Sequence, residues 1–119
     1  MATNPFEAYG IDYDDALDRF GGNIELFKRL ASKYANDSHF VGMVAALEAG
    51  DYEQAYRDAH ALKGVSGNLS FSQLYNLTSQ ICFALREGNP ETAISLLPDT
   101  AEAHRKALDA AIAIRAGKL

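Results

Sequence analysis

The segment from Ala59 to Leu69 contains the residue types in this chain that could carry chemistry. At helical spacing it holds one histidine, one lysine and two glycines: His60, Lys63, Gly64 and Gly67. With about 100° of rotation per residue, the last three lie within roughly 60° of the histidine on one helix face. A neutral imidazole nitrogen is a nucleophile, and an ammonium group one turn away can hold an anion. The spacing predicts a surface at which His60 meets an anionic group of another molecule.

The other side of the same helix predicts a buried stripe. The small and apolar residues of this stripe centre about 120° from His60; they are Tyr52, Ala55, Ala59, Leu62 and Ser66. We therefore expect the imidazole to face solvent. Each glycine in an exposed helix costs about 1 kcal/mol relative to alanine. Two glycines beside His60 instead provide bare backbone that a partner can approach closely.

Each of these residues also has an ordinary structural interpretation. Gly64 or Gly67 could be the C-cap of the helix, and a surface histidine followed by a lysine is a common arrangement. Arg57, one turn before His60, adds positive charge and is a candidate partner-binding residue. It fits an i,i+4 ion pair with Glu53 equally well. Spacing alone leaves both interpretations open.

Size and composition predict one compact domain over residues 1–119. The chain is 48% hydrophobic, enough for a core without disulfides or a metal. Cys82 is the only cysteine, and its place between Ile81 and Phe83 predicts a small buried residue in a reducing cytoplasm. The N-terminal residues contain no basic region and no apolar run, so we expect neither an export signal nor a membrane span. A net charge of −5, without a basic block, argues against nucleic acid as a partner.

Signals for helix ends divide the chain into antiparallel neighbours. Residues 50–51 and 88–90 each combine a glycine stop with a new N-cap, and the second link adds a proline at the first helical position. Such short links place consecutive helices side by side. Apolar residues between the links recur at helical spacing, and no segment alternates as a strand would. The sequence predicts an all-α fold, an antiparallel four-helix bundle with its core at about residues 23–116 and a short additional N-terminal helix.

Several boundaries can be predicted more closely. The short N-terminal helix should run from about Asp12 to Phe20, and Asn23 should cap the next element. That element should bend or split at residues 36–38, where helix-disfavouring residues cluster. The last helix should run from Pro90 towards Ala116, with a kink at Pro98 or a restart near Asp99. Two pairs with capping-box spacing predict helix starts at Asp51 and Ser70: Asp51 with Gln54, and Ser70 with Gln73.

The remaining histidines give no sign of a metal or catalytic centre. The Glu-x-x-His tetrapeptide of di-iron bundles does not occur in the chain. His39 and His104 lack a second histidine or a cysteine at ligand spacing, so we expect both to lie on helix surfaces. No phosphate-binding loop follows a strand, and no Ser-His-Asp or Cys-His arrangement is indicated. We expect no bound metal or cofactor.

The motif around His60 resembles the signature of the histidine-containing phosphotransfer (Hpt) domain of two-component phosphorelays. The resemblance covers nearly the whole chain. Four stretches carry it: residues 59–68, the N-terminal residues 10–23, and the links at 47–51 and 85–89. The family often has a further glycine ten residues after the histidine, where this chain has Ser70. Because serine can cap the following helix, this departure affects the expected backbone path more than the chemistry.

The resemblance implies a role for each residue of the motif. His60 would be phosphorylated on a ring nitrogen, and Lys63 would neutralise the phosphoryl oxygens. Gly64 and Gly67 would leave room for an incoming receiver domain, with Asn68 near the end of the site. An imidazole of ordinary pKa, about 6.5, is mostly neutral near pH 7, so it can attack phosphorus without a base.

The implied function is that of a phosphoryl carrier without kinase activity. Response-regulator receiver domains, and possibly a hybrid sensor kinase, would be its partners, and the receiver would supply the aspartate and its Mg²⁺. We expect a monomer, since one four-helix core can accommodate the apolar residues. Two alternatives stay open: a helical interaction module that binds proteins without chemistry, and a structural bundle within a larger assembly.

Overall fold

The computed structural model describes residues 4–119; the predictions that concern residues 1–3 lie outside this range. The described residues form seven α-helices and two 3₁₀ helices, with no strand among them. The α-helices are α1 (Tyr13–Arg19), α2 (Ile24–Ser32), α3 (His39–Glu48), α4 (Tyr52–Asn68), α5 (Ser72–Arg86), α6 (Pro90–Ser95) and α7 (Leu97–Arg115). The 3₁₀ helices are Glu7–Tyr9 and Lys33–Asn36. The predicted all-α fold is confirmed.

The helices pack as a bundle in which two of the four long elements are split. α4 packs against α3 and α5, and α7 packs against α5 and α2, which closes the bundle. In the second element α2 ends at Ser32 and the 3₁₀ helix Lys33–Asn36 follows, so the element splits before α3 at Asp37 and Ser38, within the predicted polar cluster. The last element restarts at Leu97, so that Pro98 lies in the first turn of α7, where a missing backbone donor costs little.

Side-chain caps fix three of the predicted helix starts. A side-chain oxygen of Asp12 accepts from the N–H of Asp15, that of Asn23 from Leu26, and that of Asp51 from Gln54, at 3.0 to 3.2 Å. Each cap satisfies one of the backbone donors that a helix N-terminus leaves without an intrahelical partner. The predicted starts of α1, α2 and α4 are confirmed.

The prediction that Ser70 begins a helix is wrong. Helix α5 begins at Ser72 with Phe71 as its N-cap, and no side chain caps it. Ser70 has a φ of 57° and so occupies the left-handed region that favours glycine. Its hydroxyl donates to Asp15 Oδ2 at 2.7 Å, and its carbonyl accepts from the N–H of Asp12 at 2.9 Å. Ser70 therefore ties α1 to the turn between α4 and α5 instead of capping α5.

The hydrophobic core follows most of the predicted stripe on α4. Four of its members are buried; they are Ala55, Ala59, Leu62 and Ser66. The fifth member was predicted wrongly, because Tyr52 in the first turn of α4 is 43% exposed. Cys82 is buried as predicted. Burial raises the pKa of its thiol, although the charges of Lys63 and Arg86 oppose the effect.

His104 does not lie freely on a helix surface, contrary to the sequence prediction. Its Nδ1 lies 2.7 Å from the hydroxyl of Tyr34, and its ring stacks on Phe40 with centroids 4.3 Å apart. Burial lowers the pKa of His104, while the charge of Asp37 partly opposes this. Burial also raises the pKa of Tyr34. The tyrosine hydroxyl can thus donate to an imidazole that the fold keeps neutral.

This arrangement predicts a loss of stability in mild acid. The pKa of His104 is lower in the folded chain than in the unfolded chain, where it is about 6.5. The contribution of His104 to the free energy of unfolding is therefore fully present above about pH 6.5. It should decline as the pH falls from there towards the folded pKa, since the unfolded chain then binds the proton more readily. Urea unfolding at about pH 7.5 and 5.5 should show a larger drop in the free energy of unfolding for wild type than for His104→Asn. Equal drops would contradict the prediction.

Candidate functional site

His60 lies midway along α4 with its side chain exposed to solvent. The ring stacks beside Tyr56, one turn earlier, with centroids 6.0 Å apart and planes 20° apart. Within residues 4–119, neither ring nitrogen of His60 makes a hydrogen bond. The buried residues Ala59 and Leu62 anchor the same stretch of helix in the core. The imidazole is therefore held on a rigid support with its nitrogens available to another molecule.

An open cavity of about 440 Å³ adjoins the histidine. Five of the six predicted site residues line it: His60, Lys63, Gly64, Gly67 and Asn68. The cavity extends along α4 from His60 towards the turn that leads into α5. The structure thus brings these five residues together on one surface.

Lys63 is the cation nearest to His60 in the motif, one turn further along α4. Its side chain is half-buried, and it forms no salt bridge with any residue of the described range. Because no carboxylate in that range pairs with it, its ammonium group is available to an anion in the cavity. Lys63 is therefore suited to hold an anionic group placed beside the His60 ring.

The two glycines lie in different surroundings. A methyl group built on Gly64 would meet no atom within 4 Å, so the space beside this residue is open. A methyl group built on Gly67 would lie 2.9 Å from Cδ1 of Tyr75, closer than real contacts allow. The space beside Gly67 is thus occupied by a side chain of α5. Of these two glycines, only Gly64 has open space beside it.

Alanine substitutions should separate these two glycines. Gly64→Ala should raise the free energy of unfolding by about 0.5–1 kcal/mol, because it removes backbone entropy from the unfolded chain without a clash. Gly67→Ala should displace the Tyr75 ring and end about 1 kcal/mol less stable than Gly64→Ala. Urea unfolding of both variants measures the difference. Equal stabilisation by the two substitutions would contradict this account of Gly67.

Arg57 is the one predicted site residue that the structure leaves outside the cavity. Its Nη2 donates to Gln54 Oε1 at 2.8 Å, and its Nη1 lies 3.9 Å from Glu53 Oε1. The pairing with Glu53 that the sequence left open is therefore present, though long. Arg57 lines a separate groove, together with Tyr56 and Arg86.

Six residues that line the cavity were not among the predicted site residues. Asp15 and Arg19 reach it from α1. The other four lie on α4, α5 or the turn between them; they are Ser66, Ser70, Ser72 and Tyr75. Asp15 and Arg19 lie within residues 10–23, one of the stretches that carry the resemblance to the Hpt family. Their i,i+4 spacing on the predicted N-terminal helix was a second signal, but this spacing is common on solvated helix faces. Their place beside His60 depends on how α1 packs, and that in turn depends on the conformation of Ser70.

The sequence matches the Hpt domain family over residues 35–114, about two thirds of the chain. The chain belongs to the Hpt family. No curated protein and no solved structure matches it. The matched range contains α4 with His60 and the whole of α5, but it excludes α1.

Membership of the Hpt family shows the general role of the chain. Hpt domains are phosphoryl carriers in two-component phosphorelays, not enzymes, and they interact with receiver domains. Their helical-bundle architecture agrees with the fold described above. The resemblance inferred from the sequence is therefore confirmed at the level of the family.

Two further findings describe the chain more generally. Residues 4–119 contain no group of three or more His, Cys, Asp or Glu side chains arranged to hold a metal ion. Among the helices described here, none is both long enough and apolar enough to span a membrane.

Proposed function

We propose that His60 of this Hpt domain accepts a phosphoryl group from an aspartyl phosphate of one receiver domain and passes it to an aspartate of another. The observation that carries the proposal is the exposed His60 ring at an open cavity, with Lys63 one turn away. Membership of the family supplies the general role, and this geometry supports His60 as the carrier residue.

The transfer needs little from the carrier beyond a positioned nucleophile. The lone pair of a ring nitrogen attacks phosphorus and forms an N–P bond, while the P–O bond of the aspartyl phosphate breaks. The electron pair of that bond leaves with the receiver carboxylate. Passage to the next receiver reverses these steps with a different aspartate. Such reactions depend mainly on in-line positioning and on cations around the phosphoryl oxygens.

The residues around His60 divide this work. Lys63 compensates the charge of the phosphoryl oxygens, and the receiver contributes its aspartate and a bound Mg²⁺. Gly64 leaves the space through which the receiver's phosphorylated loop reaches the ring. Asn68 lies at the far end of the same cavity, where its side chain can contact the receiver backbone.

A direct test is incubation of the chain with a receiver domain that has been phosphorylated by acetyl phosphate. We expect phosphate to appear on the chain in a form that acid removes and base does not, as for a phosphorylated imidazole. Nuclear magnetic resonance of ³¹P then distinguishes this product from a phosphate ester. Binding of phosphorylated receivers without any such product would overturn the proposal and favour an interaction module.

A further inference from the structure

Helix α1 contributes a second cation to the His60 cavity. Arg19, the last residue of α1, lines this cavity together with Asp15 of the same helix. Both residues precede the range that matches the Hpt family, which begins at residue 35. The cavity therefore includes a charged pair that the matched part of the chain does not contain.

A chain of hydrogen bonds holds Arg19 in place. Its Nε donates to Asp15 Oδ2 at 2.8 Å, and the hydroxyl of Ser70 donates to the same oxygen at 2.7 Å. The hydrogen bond from Arg19, with that from Ser70, lowers the pKa of Asp15, so the carboxylate stays ionised. The left-handed backbone at Ser70 places this hydroxyl next to α1. Arg19 is thereby fixed to the turn that ends α4.

The terminal nitrogens of Arg19 remain available. Within the described residues, Nη1 and Nη2 make no hydrogen bond, and the side chain is 48% exposed. A guanidinium presents its donors in a planar fork that suits phosphate oxygens. Because Asp15 binds only Nε, the outer edge of the fork can bind a second anion.

We propose that Arg19 binds the phosphoryl group in the cavity through its terminal nitrogens, as a second cation beside Lys63. This inference rests on the proposed function, since it takes His60 as the carrier of that group. Arg19 can bind this phosphoryl group while it is bonded to His60 or while it is still bonded to the receiver aspartate. Asp15 offsets part of the arginine charge, so the expected effect is moderate. A fixed donor fork adds direction that the flexible lysine lacks.

The test compares four variants with wild type: Arg19→Gln, Arg19→Lys, Lys63→Gln and the control Arg29→Gln. Arg29 is an exposed arginine of α2 that lines a different groove, so its loss changes the net charge equally. Phosphoramidate can phosphorylate His60 without a receiver: a ring nitrogen attacks phosphorus, the P–N bond of the reagent breaks, and ammonia leaves. The ³¹P signal that His60→Gln lacks is then followed over about pH 5 to 8, on both sides of the phosphoryl pKa of about 6.

A nearby cation favours the more negative phosphoryl form, so its removal raises the midpoint of this titration. We expect a rise of about 0.5 pH unit in Arg19→Gln, a comparable rise in Lys63→Gln, a smaller one in Arg19→Lys and none in Arg29→Gln. In a second assay, uptake from a phosphorylated receiver should slow about fivefold in Arg19→Gln, equivalent to about 1 kcal/mol of barrier.

The two assays separate this inference from the proposed function. If Arg19→Gln shows the same titration midpoint and the same uptake rate as wild type, the proposed role of Arg19 is overturned. Uptake at the normal rate in both proteins would still agree with His60 as the carrier. A raised midpoint in Arg19→Gln, with no uptake from receivers by wild type, would support the role of Arg19 and overturn the phosphorelay function.

Discussion

Replacing His60 with glutamine is expected to abolish uptake of phosphate from a phosphorylated receiver. Glutamine keeps a polar side chain of similar reach but has no ring nitrogen with a nucleophilic lone pair. Because His60 is exposed and makes no hydrogen bond among the described residues, the substitution should leave the free energy of unfolding nearly unchanged. Acid-labile, base-stable phosphate on the chain, measured by radiolabel transfer, should fall below detection.

His39→Gln provides a matched control. This histidine begins α3, and its Nδ1 lies 3.0 Å from Asp37 Oδ2, away from the cavity. Both variants lose one imidazole and gain the same amide, so a general effect of histidine loss would appear in each. We expect His39→Gln to take up phosphate at the wild-type rate. Persistent acid-labile phosphate on His60→Gln would show that another residue is the carrier.

Gly64→Trp is expected to slow transfer from a receiver by about 100-fold or more, equivalent to about 3 kcal/mol of barrier. The space beside Gly64 is empty, so an indole can project from α4 without disturbing the core. It would then fill the opening next to His60 through which, on the proposed function, the receiver approaches. Stopped-flow or quenched transfer assays measure the rate, and urea unfolding should show a stable fold.

Two comparisons make this prediction specific. Gly64→Ala adds only a methyl group at the same position and should transfer within a few-fold of wild type. Ala101→Trp places an indole on an exposed position of α7, outside the His60 cavity, and should transfer normally. Phosphoramidate is much smaller than a receiver and should still phosphorylate His60 in Gly64→Trp. Rapid transfer by Gly64→Trp would contradict the assignment of this opening to the receiver.

Features that depend on local sequence could be predicted well. The caps at Asp12, Asn23 and Asp51 follow from side chains that reach their own helix N-termini. The exposure of His60 follows from helical periodicity, because Ala59 and Leu62 fix which face is buried. Contacts within one or two helical turns were therefore enough to predict the side of the cavity that α4 forms.

Features that depend on packing between distant segments could not be predicted. Ser70 has the sequence spacing of a cap, but its hydroxyl finds a better partner in Asp15, 55 residues earlier. His104 has no ligand-like neighbours in sequence, yet it meets the hydroxyl of Tyr34, 70 residues away. The position of Arg19 follows from the first of these contacts. Periodicity reports which face of a helix is buried but not which helix covers it.

The burial of the N-terminal segment bears on how this protein should be prepared in the laboratory. Phe6, Ile11 and Ala16 belong to the same core as Phe27, and all four precede the residues that match the family. An expression fragment trimmed to the matched residues would lose these side chains and leave the apolar surface of α7 open to water. Recombinant samples should therefore retain the chain from at least residue 4 onward, since a shorter product would invite aggregation.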